Sequence, residues 1–313
     1  VSAVRRHLRL LSRTRFPLAT PHLRIASIVI VAGCGALLGA HVNAGERALV
    51  HEWHEVGKNH WQILTPPGET PETTDAAEGN RGDCPAGMVE IKGKMRLTPI
   101  GDELQKAVCA HWINRKFPER CASFDKDKWE AVRDKLKTKD MRFCIDRFEY
   151  PNRKGEYPVI YVNWHESNRF CEREGKRLCT EDEWTFACEG EETLPYPYGY
   201  DRDQDACLVD KPWRWFDPAA YGGKKEAIIR ELDRLWQGVP AGSLPKCKSP
   251  FGVYDMTGNV DEYTKSMSPV GSPAILKGGY WGPVRTRCRP TTRAHGPEHA
   301  FYQQGFRCCR NAP

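Results

Sequence analysis

Over most of its length this sequence lacks any excess of charge of one sign. Six arginines (Arg5, Arg6, Arg9, Arg13, Arg15 and Arg24) and no acidic residue fall within residues 1–44. Removing those six from the 47 Lys and Arg leaves 41, against 41 Asp and Glu, for the remainder. A neutral body has no electrostatic footprint for a phosphate backbone, so no nucleic-acid partner is expected. Paired C-x-x-C elements are also missing and the cysteine spacings are irregular, which argues against a zinc site. Disorder is not indicated either, because 40% hydrophobic residues suffice for an ordinary core in one large domain or two.

The N-terminus has a definite order of its own. Its arginines precede an apolar run at residues 25–42 that ends in Val42-Asn43-Ala44. A basic region, an apolar region and a small-residue site in that order read as a secretion signal. Two other readings stay open. Val31-Ala32-Gly33-Cys34 fits a bacterial lipoprotein box with lipidation at Cys34, and the 18 residues 25–42 could just span a bilayer as an uncleaved anchor. All three place the same domain outside the cytoplasm, so the expected location is periplasmic, cell-envelope or secreted.

Twelve of the 13 cysteines follow that segment, at positions 84, 109, 121, 144, 171, 179, 188, 207, 247, 288, 308 and 309. An even, dense set in an exported chain reads as a disulfide framework.

Residues 45–83 read as a short helix at 45–60 followed by a linker rich in Pro, Thr, Gly and acid, which puts the folded domain at 84–313. Alternation predicts strands at 88–93, 143–150 and 159–163. Helical spacing predicts helices at 102–111, 126–137, 165–174 and 224–236. Thr180, with Glu183 three residues on, forms a capping box for another helix. Trp213, Trp215 and Phe216 are read as core aromatics rather than as a groove. His51, His54 and His60 are weak metal candidates, with His51 and His54 spaced i, i+3 on the expected helix.

The most specific signals are short motifs. Trp164-His165-Glu166, then Gly175-Lys176-Arg177-Leu178-Cys179-Thr180-Glu181-Asp182-Glu183-Trp184 and Tyr196-Pro197-Tyr198-Gly199, form a central block. Gly258-Asn259-Val260-Asp261-Glu262-Tyr263, Gly278-Gly279-Tyr280-Trp281, Cys288-Arg289 and Gly305-Phe306-Arg307-Cys308-Cys309 follow it. In this order they resemble the formylglycine-generating enzyme, or sulfatase-modifying factor, family over roughly residues 84–309. The resemblance implies a duplicated C-type-lectin-like α+β fold with much irregular backbone, into which residues 97–141 are inserted. It also implies two disulfides, Cys171 to Cys308 and Cys188 to Cys288. Each would close a loop of about a hundred residues or more, stabilising by on the order of 4 to 5 kcal/mol in the chain-entropy relation.

Members of the family that generate formylglycine bind copper through a C-x-x-x-x-C thiol pair after a Gly-Gly-Ser turn, as soft thiolates suit Cu(I). The corresponding stretch here, from Gly278 to Cys288, has no cysteine before Cys288, and Tyr280 replaces the serine. Cys308 and Cys309 could substitute as a redox pair, but separate disulfide partners are the simpler reading. Asn259, Val260 and Glu262 resemble the family's calcium turn, in which an amide oxygen, a carbonyl and a carboxylate meet one ion; Asp261 and Tyr263 depart from its Trp-rich form. The loop 288–302 borders the family's substrate groove, which makes Arg289, Arg293, His295, Glu298 and His299 candidate site residues for anion binding, metal binding or acid–base work.

Two functional readings follow. The first is an accessory module that binds a protein or glycan at the cell envelope. The alternative is an oxidoreductase, either a non-haem iron-type oxidase or a formylglycine generator acting on a protein cysteine. No His-x-x-x-His-x-Glu run supports the iron-dependent form.

Overall fold

A computed structural model of the chain describes residues 48–65 and 82–313. The expected signal or anchor segment, Cys34 and residues 66–81 of the expected linker lie outside the described residues. Among the described residues no helix is long and apolar enough to cross a membrane.

The elements run β1 (Trp53–Gly57), β2 (His60–Ile63), β3 (Met88–Leu97), α1 (Gly101–Ala107), β4 (Cys109–Asn114), β5 (Arg120–Phe124), α2 (Lys126–Arg133) and β6 (Lys137–Asp146). After these come α3 (Trp164–Arg173), β7 (Arg177–Leu178), α4 (Glu181–Glu189), α5 (Pro218–Tyr221), α6 (Lys225–Leu235), β8 (Asp261–Lys265) and β9 (Ala274–Lys277). The last three are β10 (Thr291–Thr292), β11 (Gln304–Phe306) and β12 (Cys308–Asn311). One antiparallel sheet has the order β3-β6-β12-β7, and a second has the order β10-β9-β8-β11, in which β8 and β11 are parallel. Two hairpins, β1-β2 and β4-β5, complete the strands. Short strands, a few helices and long irregular connections make this the α+β, disulfide-rich architecture that the motifs imply.

Local sequence explains the central helices. Asn163 and Glu166 form a capping box on α3: the Asn163 side chain accepts from the Glu166 N–H at 3.0 Å, and Glu166 accepts from the Asn163 N–H at 2.9 Å. Thr180 and Glu183 repeat the device on α4, and Arg177 clamps the same Glu183 carboxylate at 2.6 and 2.7 Å. Each box satisfies orphan N–H groups of a helix's first turn. Six disulfides then join the elements: Cys84–Cys144, Cys109–Cys121, Cys171–Cys308, Cys179–Cys309, Cys188–Cys288 and Cys207–Cys247. The vicinal Cys308 and Cys309 thus point to opposite faces of β12, one toward α3 and the other toward the start of α4.

Several expectations are corrected. The described part of the expected helix at 45–60, residues 48–60, is not helical. Asn59 takes a left-handed conformation (φ 63°) in the turn of the β1-β2 hairpin, and Trp61 exchanges two backbone hydrogen bonds with Ile160. That bridge is the only strand-like pairing of the expected strand at 159–163. Trp61 and Ile63 are buried in a cluster with Trp236 and Trp281, so the folded unit starts well before Cys84. Tertiary docking has overridden a local helical pattern.

Residues 97–141 supply α1, the β4-β5 hairpin, α2 and the start of β6. Trp129 is fully buried and its indole N–H donates to the Thr193 carbonyl at 2.8 Å, which fixes this segment to the loop after α4. Trp213 and Trp215 are not core residues: they are 41% and 79% exposed, whereas Phe216 packs against Phe301.

Candidate functional site

Gly278 and Gly279, just after β9, are consecutive left-handed residues (φ 88° and 69°). A Cβ on Gly278 would lie 2.9 Å from the Met256 carbonyl oxygen, so the close approach demands glycine. The turn opens a cavity of about 170 Å³ whose polar lining is Asp261, Tyr280, Arg285, Thr292, His295 and Gln303. Leu276, Val284 and Pro290 form its apolar wall, and Phe117 and Pro118 reach it from the β4-β5 loop. Five separate segments meet here because β8 and β11 pair in parallel, Asp261 opposite Gln304.

The charges in this cavity are not paired off. Asp261 accepts one hydrogen bond, from the Gly279 N–H at 3.2 Å, and its second carboxylate oxygen has no hydrogen-bond partner among the described residues. Burial, reinforced by the neighbouring Glu262 charge, pushes the Asp261 carboxyl up to about 7, while the Gly279 N–H and the charges of Arg285 and Lys277 pull the other way. Arg285 has no carboxylate within ion-pair distance among the described residues. Its guanidinium lies 5.1 Å over the Phe117 ring and reaches the Thr291 carbonyl and Thr292 hydroxyl only at 3.5 Å. Gln303 Oε1 is buried with no hydrogen-bond partner. Burial and the adjacent His299 hold the His295 imidazole below its ordinary value, and burial raises the Tyr280 hydroxyl. Perturbed titratable groups and unmet polar atoms in one concavity mark a functional site.

A second cavity of about 420 Å³ adjoins it, since Arg285 lines both. Its lining includes Asp102, Glu181, Arg289 and Arg293. Here the charges are spent on one another. Arg289 is bidentate to the buried Glu189 at 2.7 and 2.8 Å, Arg293 to Glu181 at 2.7 and 2.8 Å, and Asp102 pairs with Arg287 at 2.6 Å. The larger space is therefore a polar cleft between docked segments, and the smaller one holds the open chemistry.

The five candidates of the 288–302 loop are accordingly not one cluster. Arg289 and Arg293 line the larger cavity and His295 the smaller. Glu298 pairs with His165 at 2.9 Å. His299 stacks on His295, with centroids 4.1 Å apart, and bonds Gln304. His51 binds Asp233 at 2.8 Å, His60 faces Glu166 at 3.3 Å and His54 is exposed, so this trio does not converge.

Nor do Asn259, Val260 and Glu262 meet at one point. The Asn259 side chain donates to Glu149 at 2.6 Å and accepts from the Val239 N–H at 3.0 Å, while the Val260 N–H donates to Glu149 at 3.2 Å. Glu262 accepts from Arg307 Nε and Nη2 at 2.7 and 2.6 Å and from the Trp184 indole at 2.8 Å. Calcium takes roughly six to eight oxygens with free lone pairs. A guanidinium already occupies the carboxylate that such an ion needs, so these residues do not fit calcium. Copper or iron finds no better set. Every described cysteine is in a disulfide, and among the described residues no three His, Cys, Asp or Glu side chains form a metal-holding group.

Sequence reasoning missed Asp261, Arg285 and Gln303 as site residues. A signal was present at two cavity positions, because Asp261 and Tyr280, like Tyr263, depart from the family pattern, and Asp261 and Tyr280 line the same cavity.

Comparison with known proteins agrees with the motifs. Residues 52–312 match the model of the family described as sulfatase-modifying factor enzyme 1-like domain. Over 168 residues the chain is 32% identical to the inactive C-alpha-formylglycine-generating enzyme 2 of Bos taurus, covering 51% of this chain and 52% of that protein. Identity to the formylglycine-generating enzyme of Bos taurus is 25% over 173 residues, or 49% of this chain and 44% of that protein. The chain thus spans about half the length of the curated relatives it matches. Among solved structures, PvdO from Pseudomonas aeruginosa gives a TM-score of 0.44 at 18% identity, over 73% of this chain and 95% of that one. The family match begins at residue 52, at the hairpin rather than at Cys84, and it takes in the Gly-Asn turn, the Gly-Gly turn and the closing Cys-Cys pair alike. This chain belongs to the sulfatase-modifying factor enzyme 1-like domain family.

Proposed function

We propose that this chain is an exported accessory or ligand-binding module of the cell envelope, and that it does not carry out the copper-dependent oxidation of its catalytic relatives. One observation carries the reading: all twelve described cysteines are used in six disulfides, so no thiolate pair is left to hold Cu(I). Support also comes from Tyr280 in place of the turn's serine, and from a relative whose name calls it inactive. The disulfide density supports export, since such bonds persist in oxidising compartments. A protein or glycan is the partner class that this reading supplies, with the exposed Trp213 and Trp215 beside Tyr280 as the contact surface.

The test is direct. Purified protein loaded with Cu(I) is incubated in air with a cysteine-containing sulfatase peptide, and the peptide mass is followed. The expected outcome is an unchanged peptide and a count of no free thiols after residue 44. Conversion of the peptide cysteine to an aldehyde would overturn the reading, and stoichiometric iron in the purified protein would move it to the oxidoreductase alternative.

A further inference from the structure

The small cavity has a feature that packing does not explain. Asp261 and Arg285 line the same 170 Å³ space, and they form no ion pair within 4.0 Å. Each side keeps unused capacity. The same cavity is lined by two acceptors without donors among the described residues, the second carboxylate oxygen of Asp261 and the buried Gln303 Oε1, whose amide also contacts the Tyr280 hydroxyl. Three arginines with buried side chains are each matched to a carboxylate, Arg202 to Asp210, Arg289 to Glu189 and Arg307 to Glu262, all at 2.6 to 2.8 Å. An unsatisfied buried polar atom is costly unless something fills its need.

We propose that this cavity binds a free α-amino acid, with the ammonium on Asp261 and Gln303 and the carboxylate on Arg285. The proposal deepens the binding-module reading and rests on it. An ammonium supplies three donors, as many as Asp261 Oδ2, Gln303 Oε1 and one further acceptor can take. A guanidinium is the side chain best matched to a carboxylate, and stacking on Phe117 holds its plane. Neither a simple amine nor a simple anion satisfies both ends. Leu276, Val284 and Pro290 offer an apolar wall to the ligand's side chain, and the volume is too small for an oligosaccharide or a folded partner. Phe117, 76% exposed on a loop of the inserted segment, sits at the rim.

Calorimetric titration of the full chain with L-alanine, L-serine, L-valine and L-leucine tests this at neutral pH. At least one is expected to bind at millimolar concentration or tighter. N-acetylation, which removes the ammonium, and conversion to the amide, which removes the carboxylate, should each weaken binding about tenfold or more. Asp261→Asn and Arg285→Gln should do the same for the parent ligand while still melting cooperatively. The derivatives are measured on the unaltered protein, so a variant that fails to fold does not decide the matter. Absence of binding by all four amino acids, or equal binding of the parent and both derivatives, would overturn the proposal. Such a failure stays distinct from that of the module reading, because the peptide-oxidation assay needs no ligand in this cavity.

Discussion

Asp261 and Glu262 are neighbours on β8, both buried and both acidic, yet they have opposite fates. Successive strand residues face opposite sides of a sheet. Glu262 points into the interior, where Arg307 and Trp184 give its carboxylate three hydrogen bonds. Asp261 points into the cavity, where one glycine N–H is its single partner. Glu262 belongs to the fold: with Arg307 it ties β8 to the junction of β11 and β12, and Arg307 also donates to the Tyr254 carbonyl at 2.9 Å. Asp261 contributes nothing comparable to the architecture. On β8 the fully bonded carboxylate belongs to the scaffold and the singly bonded one lines the cavity.

The largest loss of stability is expected at Arg307. Replacing it by alanine leaves Glu262 buried beside Glu149 and Asp255 with no cation among them. Burial and mutual repulsion already raise the carboxyls of Glu149 and Asp255, the latter to about 7. Losing one partner of a buried pair costs about 3–5 kcal/mol, so Arg307→Ala is expected to unfold at much lower denaturant or not to accumulate as folded protein. The double variant Arg307→Met with Glu262→Gln should recover part of that loss. Chemical denaturation of the three proteins checks it, and equal instability of single and double variants would mean that packing, not charge, dominates here.

At Asp261 the expected change has the opposite sign. Its carboxyl stands near 7 in the folded chain against an ordinary value of 3.8. A raised folded-state value means that the protonated form is favoured by folding, so this stability is present at acid pH and is lost as pH rises toward and through 7. Arg285, His295 and Tyr280 share its cavity, and Glu262, Lys277 and Tyr263 act on it or are acted on by it from the neighbouring structure. Asp261→Asn removes the penalty. The variant should match the parent near pH 4 and exceed it near pH 8 by on the order of 2 kcal/mol. Asp146 and Asp255 shift in the same direction, which is why the difference between variant and parent, rather than either curve alone, is the quantity to follow across pH. A variant less stable than its parent at both pH values would place Asp261 with Glu262, in the scaffold.

How much of this was legible follows the same division. The capping boxes on α3 and α4 could be read because their partners are three residues apart. The motifs around Glu262, Arg307 and the cysteines were legible as a family signature, though the turn at Asn259 suggested an ion where the fold uses an arginine 45 residues beyond Glu262. The cavity was not legible, because Asp261, Arg285 and Gln303 are joined only by the parallel pairing of β8 with β11 and by the Gly-Gly turn. The β1-β2 hairpin was misread for a related reason. Its identity is decided by Ile160, about a hundred residues away, and not by its own pattern.

The smallest expected effect sharpens the comparison from the scaffold side. A structural calcium ion at Asn259, Val260 and Glu262 would raise the melting temperature by several degrees in millimolar calcium, because a ligand that binds only the folded state stabilises by mass action. For that to happen Glu262 would have to release Arg307 and present its oxygens to the ion, leaving a guanidinium buried without its carboxylate. With Arg307 in place, exchange of calcium for a chelator is expected to move the melting temperature by no more than about 1 °C, or roughly 0.5 kcal/mol. Thermal melts in calcium and in chelator suffice to measure it. A larger shift in the parent that persists in Glu262→Gln would trace the ion to Glu149 and Asp255 instead, whose raised carboxyls share the same buried space.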